Sequence, residues 1–258
     1  MSATTGYFVA GSSWLHRRNP LTKLLTLGLI LLAAFLLPPV AIPILLVAIF
    51  AAVSSAGILR PTVVSMRIPA LLVVSILVIN GFFFPGATDV IVTIGPFSLT
   101  REGLTFGLIS AGRIVVVFLG AVAFLFTTLA DDLLESLIAR GASHRISFVV
   151  LSAVQMVPRM QERAGSILEA QQARGLSIEG SYGRRFRALV PLIGPVVLGS
   201  LVDVRERTFA LEARGFGARP NRTAYRVVAD PPIDRWLRLA IIGLCLGVVV
   251  VAVTGFPR

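Results

Sequence analysis

The residues best placed by type and spacing for acid, base or nucleophile chemistry are three carboxylates, Asp131, Asp132 and Glu135, and a serine beside a histidine, Ser143-His144. The carboxylates follow Thr127-Thr128 at the start of a helical pattern, where acidic side chains complement the helix macrodipole and capping accounts for them. The serine has no Gly-x-Ser-x-Gly elbow to present it, and neighbours in sequence need not face each other, so His144 reads as a solvated helix-start residue. A metal centre draws on three or four clustered ligands; the only histidines are His16 and His144, and the only cysteine, Cys245, lies in an apolar run. A P-loop ends in Lys followed by Ser or Thr after a glycine-rich turn, whereas the single lysine sits in Leu21-Thr22-Lys23-Leu24. The expectation is a protein with no catalytic residue, no metal ligand set and no cofactor of its own.

Composition points elsewhere. Of 258 residues, 55% are hydrophobic and 14% charged, against about 25% charged in an ordinary soluble domain. A mean hydropathy of +0.86 requires much of the apolar surface to face lipid. The net charge of +11 comes from 24 Lys+Arg against 13 Asp+Glu, nearly all of it arginine. Nucleic acid is not expected as a partner, because no zinc-ligand spacing, recognition-helix pattern or aromatic-interleaved basic strand accompanies the charge.

The uncharged run between Lys23 and Arg60 would span about 54 Å as one helix, against about 30 Å of hydrocarbon. Pro38-Pro39 breaks it into two short helices folded as a hairpin. A cleaved signal peptide is the competing reading, but no small-residue cleavage site stands out and the apolar character continues past the prolines. Ile68–Phe84 makes a third span. A mixed loop through Asp89 leads to a fourth, Gly103–Ala130, which carries Arg113, and Leu239–Phe256 is the fifth. A charge inside a span needs a partner or a polar interior, so the readings for Arg113 are a residue lining a substrate path, a snorkelling side chain, a pair with a partner subunit, or a structural intramembrane polar residue that holds spans together.

Between Asp131 and Arg235 arginines and acids interleave with two apolar patches, Ile146–Val157 and Ala188–Val202, the first ended by Pro158 and the second interrupted by Pro191, Gly194 and Pro195. Runs this short suit interfacial or packed segments better than spans, although a seven-span arrangement competes. With five spans the arginines gather on one face, leaving Arg101 and Arg258 opposite. The positive-inside rule then places the N-terminus and residues 131–235 in the cytoplasm of a multi-pass plasma-membrane protein. The fold class expected is an all-α integral membrane protein of about five transmembrane helices. Residues 21–130 hold the first four, 131–235 a cytoplasmic or interfacial set of coupling helices, and 236–258 the last.

The most informative pattern is a repeated helix ending. Gln161–Ala173 sets Ala164, Ile167, Leu168 and Gln171 on one face and stops at Arg174-Gly175-Leu176; later Glu212-Ala213-Arg214-Gly215-Phe216 repeats the order of arginine, glycine and apolar residue. Glycine just past a helix is ordinary capping, and Ala139-Arg140-Gly141 is a third copy. The other two share an acidic residue shortly before the alanine and a preceding apolar patch. Two similar protruding arginines suggest docking to two similar partners.

Trp14-Leu15-His16-Arg17-Arg18-Asn19-Pro20-Leu21-Thr22-Lys23-Leu24-Leu25 resembles the N-terminal segment of the transmembrane T component of energy-coupling factor (ECF) transporters, the family of the cobalt-transport membrane subunit, departing from it at Asn19 where aspartate is usual. Leu99–Leu104 followed by Arg113 is similar to the family's fourth span. Gln155-Met156-Val157-Pro158 with Glu169–Gly175, and Glu212–Phe216 with Arg222-Thr223-Ala224-Tyr225, resemble its two signatures. The resemblance implies a division of labour in which two P-loop ATPase subunits hydrolyse ATP, a small membrane S component binds a vitamin or metal ion, and this chain joins them without being an enzyme. Ala173, Arg174, Gly175, Ala213, Arg214 and Gly215 would be the ATPase-docking tips, and the two apolar patches would lie along the lipid bilayer where the S component packs. Arg140 inherits no role. A stand-alone transporter or membrane enzyme with a site around Arg113, Asn80 and Asp89, or a structural adaptor for other partners, are the readings that compete.

Overall fold

A computed structural model describes residues 8, 9, 11, 13–85, 89–94, 97–176, 182–216 and 228–255. In chain order the elements are α1 (Pro20–Leu36), α2 (Ala41–Ser55), α3 (Leu59–Ser65), α4 (Arg67–Phe83), β1 (Val90–Ile94), β2 (Phe97–Thr100), α5 (Arg101–Thr127), α6 (Ala130–Ile138), α7 (His144–Ala173), α8 (Tyr182–Ala213) and α9 (Pro232–Val253). The chain divides into two compact units, Met1–Arg140 with Val228–Arg258, and Gly141–Val227. Among the described residues the protein is all-α apart from one small hairpin.

In the first unit α1 starts where the sequence demands it. The Asn19 side chain accepts from the Leu21 N–H at 3.0 Å and Pro20 takes the first helical position, which needs no N–H. The helix ends at Leu36, ahead of Pro38-Pro39, and α2 returns as the expected hairpin partner. Ala34 on α1 and Ile42, Ile49 and Val53 on α2 form one core with Val116, Val122 and Phe126 of α5. The most extensive helix contact of the unit is between α4 and α5. It depends on a residue without a side chain, since a Cβ on Gly103 would collide with the Asn80 carbonyl; small residues let membrane helices approach this closely.

Among the described residues two helices, α5 and α9, are long and apolar enough to cross a membrane; α3 and α4, bent by 49° at Met66, add a third if they act as one span. The hairpin helices α1 and α2 are apolar but shorter, at 17 and 15 residues, about 26 and 23 Å. The expected count of about five therefore includes two helices below full span length. Many apolar side chains of these helices are exposed, Leu71 on α4 and Val253 on α9 among them, as a lipid-facing surface requires.

Two elements differ from expectation. The loop through Asp89 contains an antiparallel hairpin pairing Val92 with Leu99, Thr93 with Ser98 and Ile94 with Phe97; the β-branched run Val90–Ile94 favours it. In the second unit the helix expected over Gln161–Ala173 begins at His144 and runs through Pro158. Pro158 ends the apolar patch without ending the helix, which forgoes the bond its missing N–H would make to Val154. Likewise α8 continues through Pro191 and Pro195.

Pairs distant in sequence tie the ends of α1, α6 and α9 together. Fully buried Asp234 accepts from the Asn19 N–H at 2.9 Å and from the Arg18 guanidinium at 3.2 Å. Arg238 donates to both oxygens of Asp230 at 2.8 and 2.9 Å, and Arg140 adds a third bond at 3.1 Å. The hydrogen bond from Arg238 is the main reason the Asp230 carboxyl sits below its ordinary range; partial burial opposes this, and the Arg238 charge and the Arg140 bond reinforce it. A carboxyl depressed in the folded state contributes stability above its unfolded pKa of about 3.9 and loses it as pH falls through the folded value. Asp230→Asn is therefore expected to melt below the wild type at pH 7, and the two melting temperatures in detergent should converge as pH falls below about 4.

Candidate functional site

The two signature endings share one local structure. At the end of α7, Leu176 N–H donates to Gln171 O at 3.0 Å and Gly175 N–H to Gln172 O at 2.9 Å; at the end of α8, Phe216 N–H donates to Leu211 O at 2.9 Å and Gly215 N–H to Glu212 O at 2.9 Å. This is the Schellman pair, which places its residue after the cap in the left-handed region. Gly175 and Gly215 have φ of 92° and 70°. Gly175→Ala is expected to cost about 1 kcal/mol and to fray the last turn of α7, read as several-fold faster tryptic cleavage after Arg174.

Exposure follows the same order at both tips. Gln171 and Leu211 are half-buried, the Ala-Arg-Gly triplets 173–175 and 213–215 are exposed, and Leu176 and Phe216 are half-buried. Among the described residues neither the Arg174 nor the Arg214 side chain makes a hydrogen bond or ion pair, while their backbone N–H groups donate to Gln171 O at 3.1 Å and Ala210 O at 3.3 Å. The third copy behaves differently. Its Arg140 guanidinium is held by Asp230 at 3.1 Å, and α6 ends earlier, with Arg140 N–H bonding to Leu137 O. Context rather than the tripeptide distinguishes the tethered Arg140 from two arginines whose side chains have no partner among the described residues.

Two contacts set α7 against α8. The Phe148 and Phe216 rings pack with centroids 4.7 Å apart, and Arg163 donates to both oxygens of Asp203, one bond being 3.2 Å. Moving back along α7 from Arg163 to Phe148 corresponds to moving forward along α8 from Asp203 to Phe216, so the helices run antiparallel. The tips then lie roughly 35 Å apart along the pair at ~1.5 Å per residue. Neither Arg163 nor Asp203 was singled out in the sequence. Nothing local marks them, since they sit among other arginines and acids.

The remaining candidates do not converge. Asp89 lies beside the first turn of α5, its N–H donating to Glu102 Oε2 at 3.3 Å and its carboxylate 4.0 Å from Arg101. Asn80 donates to Ile76 O on its own helix. Arg113 is roughly 16 Å further along α5 than Glu102, half-buried, with Nε lacking a hydrogen-bond partner among the described residues. An apolar groove of about 320 Å³ in this unit is lined from α1, α2, α5 and α9 by residues including Leu27, Ile49, Phe124 and Ile241, and none of Arg113, Asn80 or Asp89 reaches it. Asp131 and Asp132 occupy the first turn of α6, as the macrodipole favours, although the cap residue Leu129 makes no side-chain bond. His144 opens α7. Among the described residues no three His, Cys, Asp or Glu side chains gather. Arg222–Tyr225 and Arg258 lie outside the described residues.

The profile of the family described as cobalt transport protein matches residues 11–225, which takes in both tips and every span but the last. The chain belongs to that family. Relatives agree along nearly its whole length. An energy-coupling factor transporter transmembrane protein of Thermosediminibacter oceani is 28% identical over 235 residues, 85% of this chain and 86% of that protein. Its namesake in Heliobacterium modesticaldum is 28% identical over 256 residues, 93% and 94% of the two chains. A putative ABC transporter ATP-binding protein of Bifidobacterium longum is 32% identical over 244 residues, 89% of this chain but only 31% of that longer protein. The family member described here is thus a membrane component of ECF type, and the resemblance read from its motifs holds.

Proposed function

We propose that this chain is the scaffold and coupling subunit of an ATP-driven importer, passing motions of two ATPase subunits to a small S component that binds a vitamin or metal ion. The observation that carries this is the pair of matching tips, each an exposed arginine at a negative helix end. Arg174 and Arg214, flanked by Ala173, Gly175, Ala213 and Gly215, each enter a groove on one ATPase and meet acidic side chains there. The Bifidobacterium relative supports the partnership, because a protein named as ATP-binding carries a segment like this chain within its length. ATP is hydrolysed by the partners. Closure of the ATPase pair changes the distance between grooves; α7 and α8 follow, and the S component tilts so that its substrate reaches the cytoplasm. A two-state element biased by nucleotide is what such coupling requires.

Residues 21–130 and 236–258 form the plasma-membrane part, with the N-terminus and residues 131–235 cytoplasmic, a topology supported by the arginine distribution. The exposed apolar side chains of α7 and α8, Ile146, Val149, Ile193 and Leu198 among them, suit the bilayer face and the S component. Arg113 is a structural intramembrane polar residue in this reading. The test is purification from the native membrane in mild detergent. Recovery of two P-loop ATPases and one small membrane protein is the expected result, and a folded chain recovered without any ATPase overturns the proposal.

A further inference from the structure

Between the two coupling helices lies an open cleft of about 460 Å³ lined by Met156, Arg159, Met160 and Arg163 of α7 and Asp203, Glu206 and Arg207 of α8. What bridges them is the Arg163 guanidinium, which spans to α8 and donates to both Asp203 oxygens. It lies flat over Gly199, one turn before Asp203. A Cβ on Gly199 would sit 3.1 to 3.4 Å from three guanidinium atoms, tighter than ordinary contact. A forked donor, a carboxylate in fork geometry and a helix position without a side chain are three matched parts of one joint.

We infer that Arg163 and Asp203, seated over Gly199, form a pin that fixes the register of α7 against α8 and thereby the separation of the tips Arg174 and Arg214. The inference rests on the proposed function for its purpose, since two tips that follow two moving grooves need a defined separation in each state, which axial slip between α7 and α8 would blur. Sliding one helix past the other by a turn would displace a tip by about 5.4 Å. The ring contact of Phe148 with Phe216 lies near one end of the pair and by itself leaves a pivot. The pin lies near the middle and opposes axial sliding, leaving the helices free to turn about it as the grooves move. Both side chains are more than a third exposed, so the pair adds little to overall stability. A polar pair that specifies register is the best-attested use of such an interaction.

Pulsed electron spin resonance between labels at Gln172 and Glu212, in the full chain with Cys245→Ser, measures the tip separation directly. The wild type should give one narrow distance distribution. Arg163→Asp or Asp203→Arg alone should at least double its width with little change in melting temperature, Gly199→Leu should do the same, and Arg163→Asp with Asp203→Arg together should restore it. Single variants as narrow as the wild type, or a swapped pair as broad as the singles, overturn the pin. Co-purification of the ATPases with the unlabelled wild type is read in parallel. Broadening and rescue without any ATPase recovered leave the pin standing and remove the proposed function; recovery of ATPases with unmoved distances does the reverse.

Discussion

Reversing both tip charges, Arg174→Glu with Arg214→Glu, is expected to abolish recovery of the ATPases while leaving the chain folded. Each arginine is exposed and its side chain makes no bond within the described residues, so changing the side chain breaks no contact among them. The caps at both ends are backbone bonds between residues 171–176 and 211–216 and do not use the guanidinium. A glutamate at a negative helix end is unfavourable by only about 0.3 to 1 kcal/mol. By contrast, truncating one partner of a desolvated charge pair at an interface costs about 2 to 5 kcal/mol, and reversal adds repulsion. Two such losses exceed what a complex surviving detergent purification can sustain. Single reversals should weaken recovery, and Arg140→Glu should leave it unchanged, because that guanidinium is committed to Asp230. The measurement is the amount of ATPase per folded chain, with melting temperature as the folding control. Equal recovery from wild type and double variant would show the arginines to be helix caps and nothing more.

Asp234→Ala should destabilise the membrane unit by about 3 to 5 kcal/mol, the cost of breaking a buried pair on one side. Asp234 is fully buried and serves two donors from the α1 start, the Asn19 backbone N–H and the Arg18 guanidinium. Without it a buried N–H loses its acceptor and Arg18 its counter-charge. Asn19 itself fits the site better than an aspartate would. Its side-chain N–H donates to Ala229 O at 3.3 Å, where a carboxylate would oppose a carbonyl and add negative charge beside Asp234. Against a total stability of about 5 to 15 kcal/mol, the alanine variant should show a sharply lower melting temperature and yield, with Asp234→Asn between the two. A melting temperature unchanged in Asp234→Ala would mean that water or lipid satisfies these donors.

Much of the architecture was legible because it is local. Composition requires lipid as solvent, Pro38-Pro39 breaks a helix, and Arg-Gly-apolar ends two, the breaks and ends through backbone geometry confined to a few residues. Family membership was legible because the motifs occur in order along most of the chain. The hairpin at Val90–Thr100 was signalled by its β-branched run and was outweighed by the surrounding loop residues. The full length of α7 was hidden by Pro158, since proline propensity is a local cost that neighbouring turns can outweigh.

Pairing was not legible. Among 24 basic and 13 acidic side chains, no pattern says that Arg163 takes Asp203, that Arg140 takes Asp230 while Arg174 and Arg214 take neither, or that Asp234 closes on Asn19 from 215 residues away. The sequence by itself determined the membrane class, the helix ends and the two glycine-capped arginines, because propensity, capping and hydropathy act within a turn or two of chain. Only the tertiary structure decided which charges are spent inside the fold and which stay unpaired among the described residues, because that choice depends on distances between segments that no local pattern encodes.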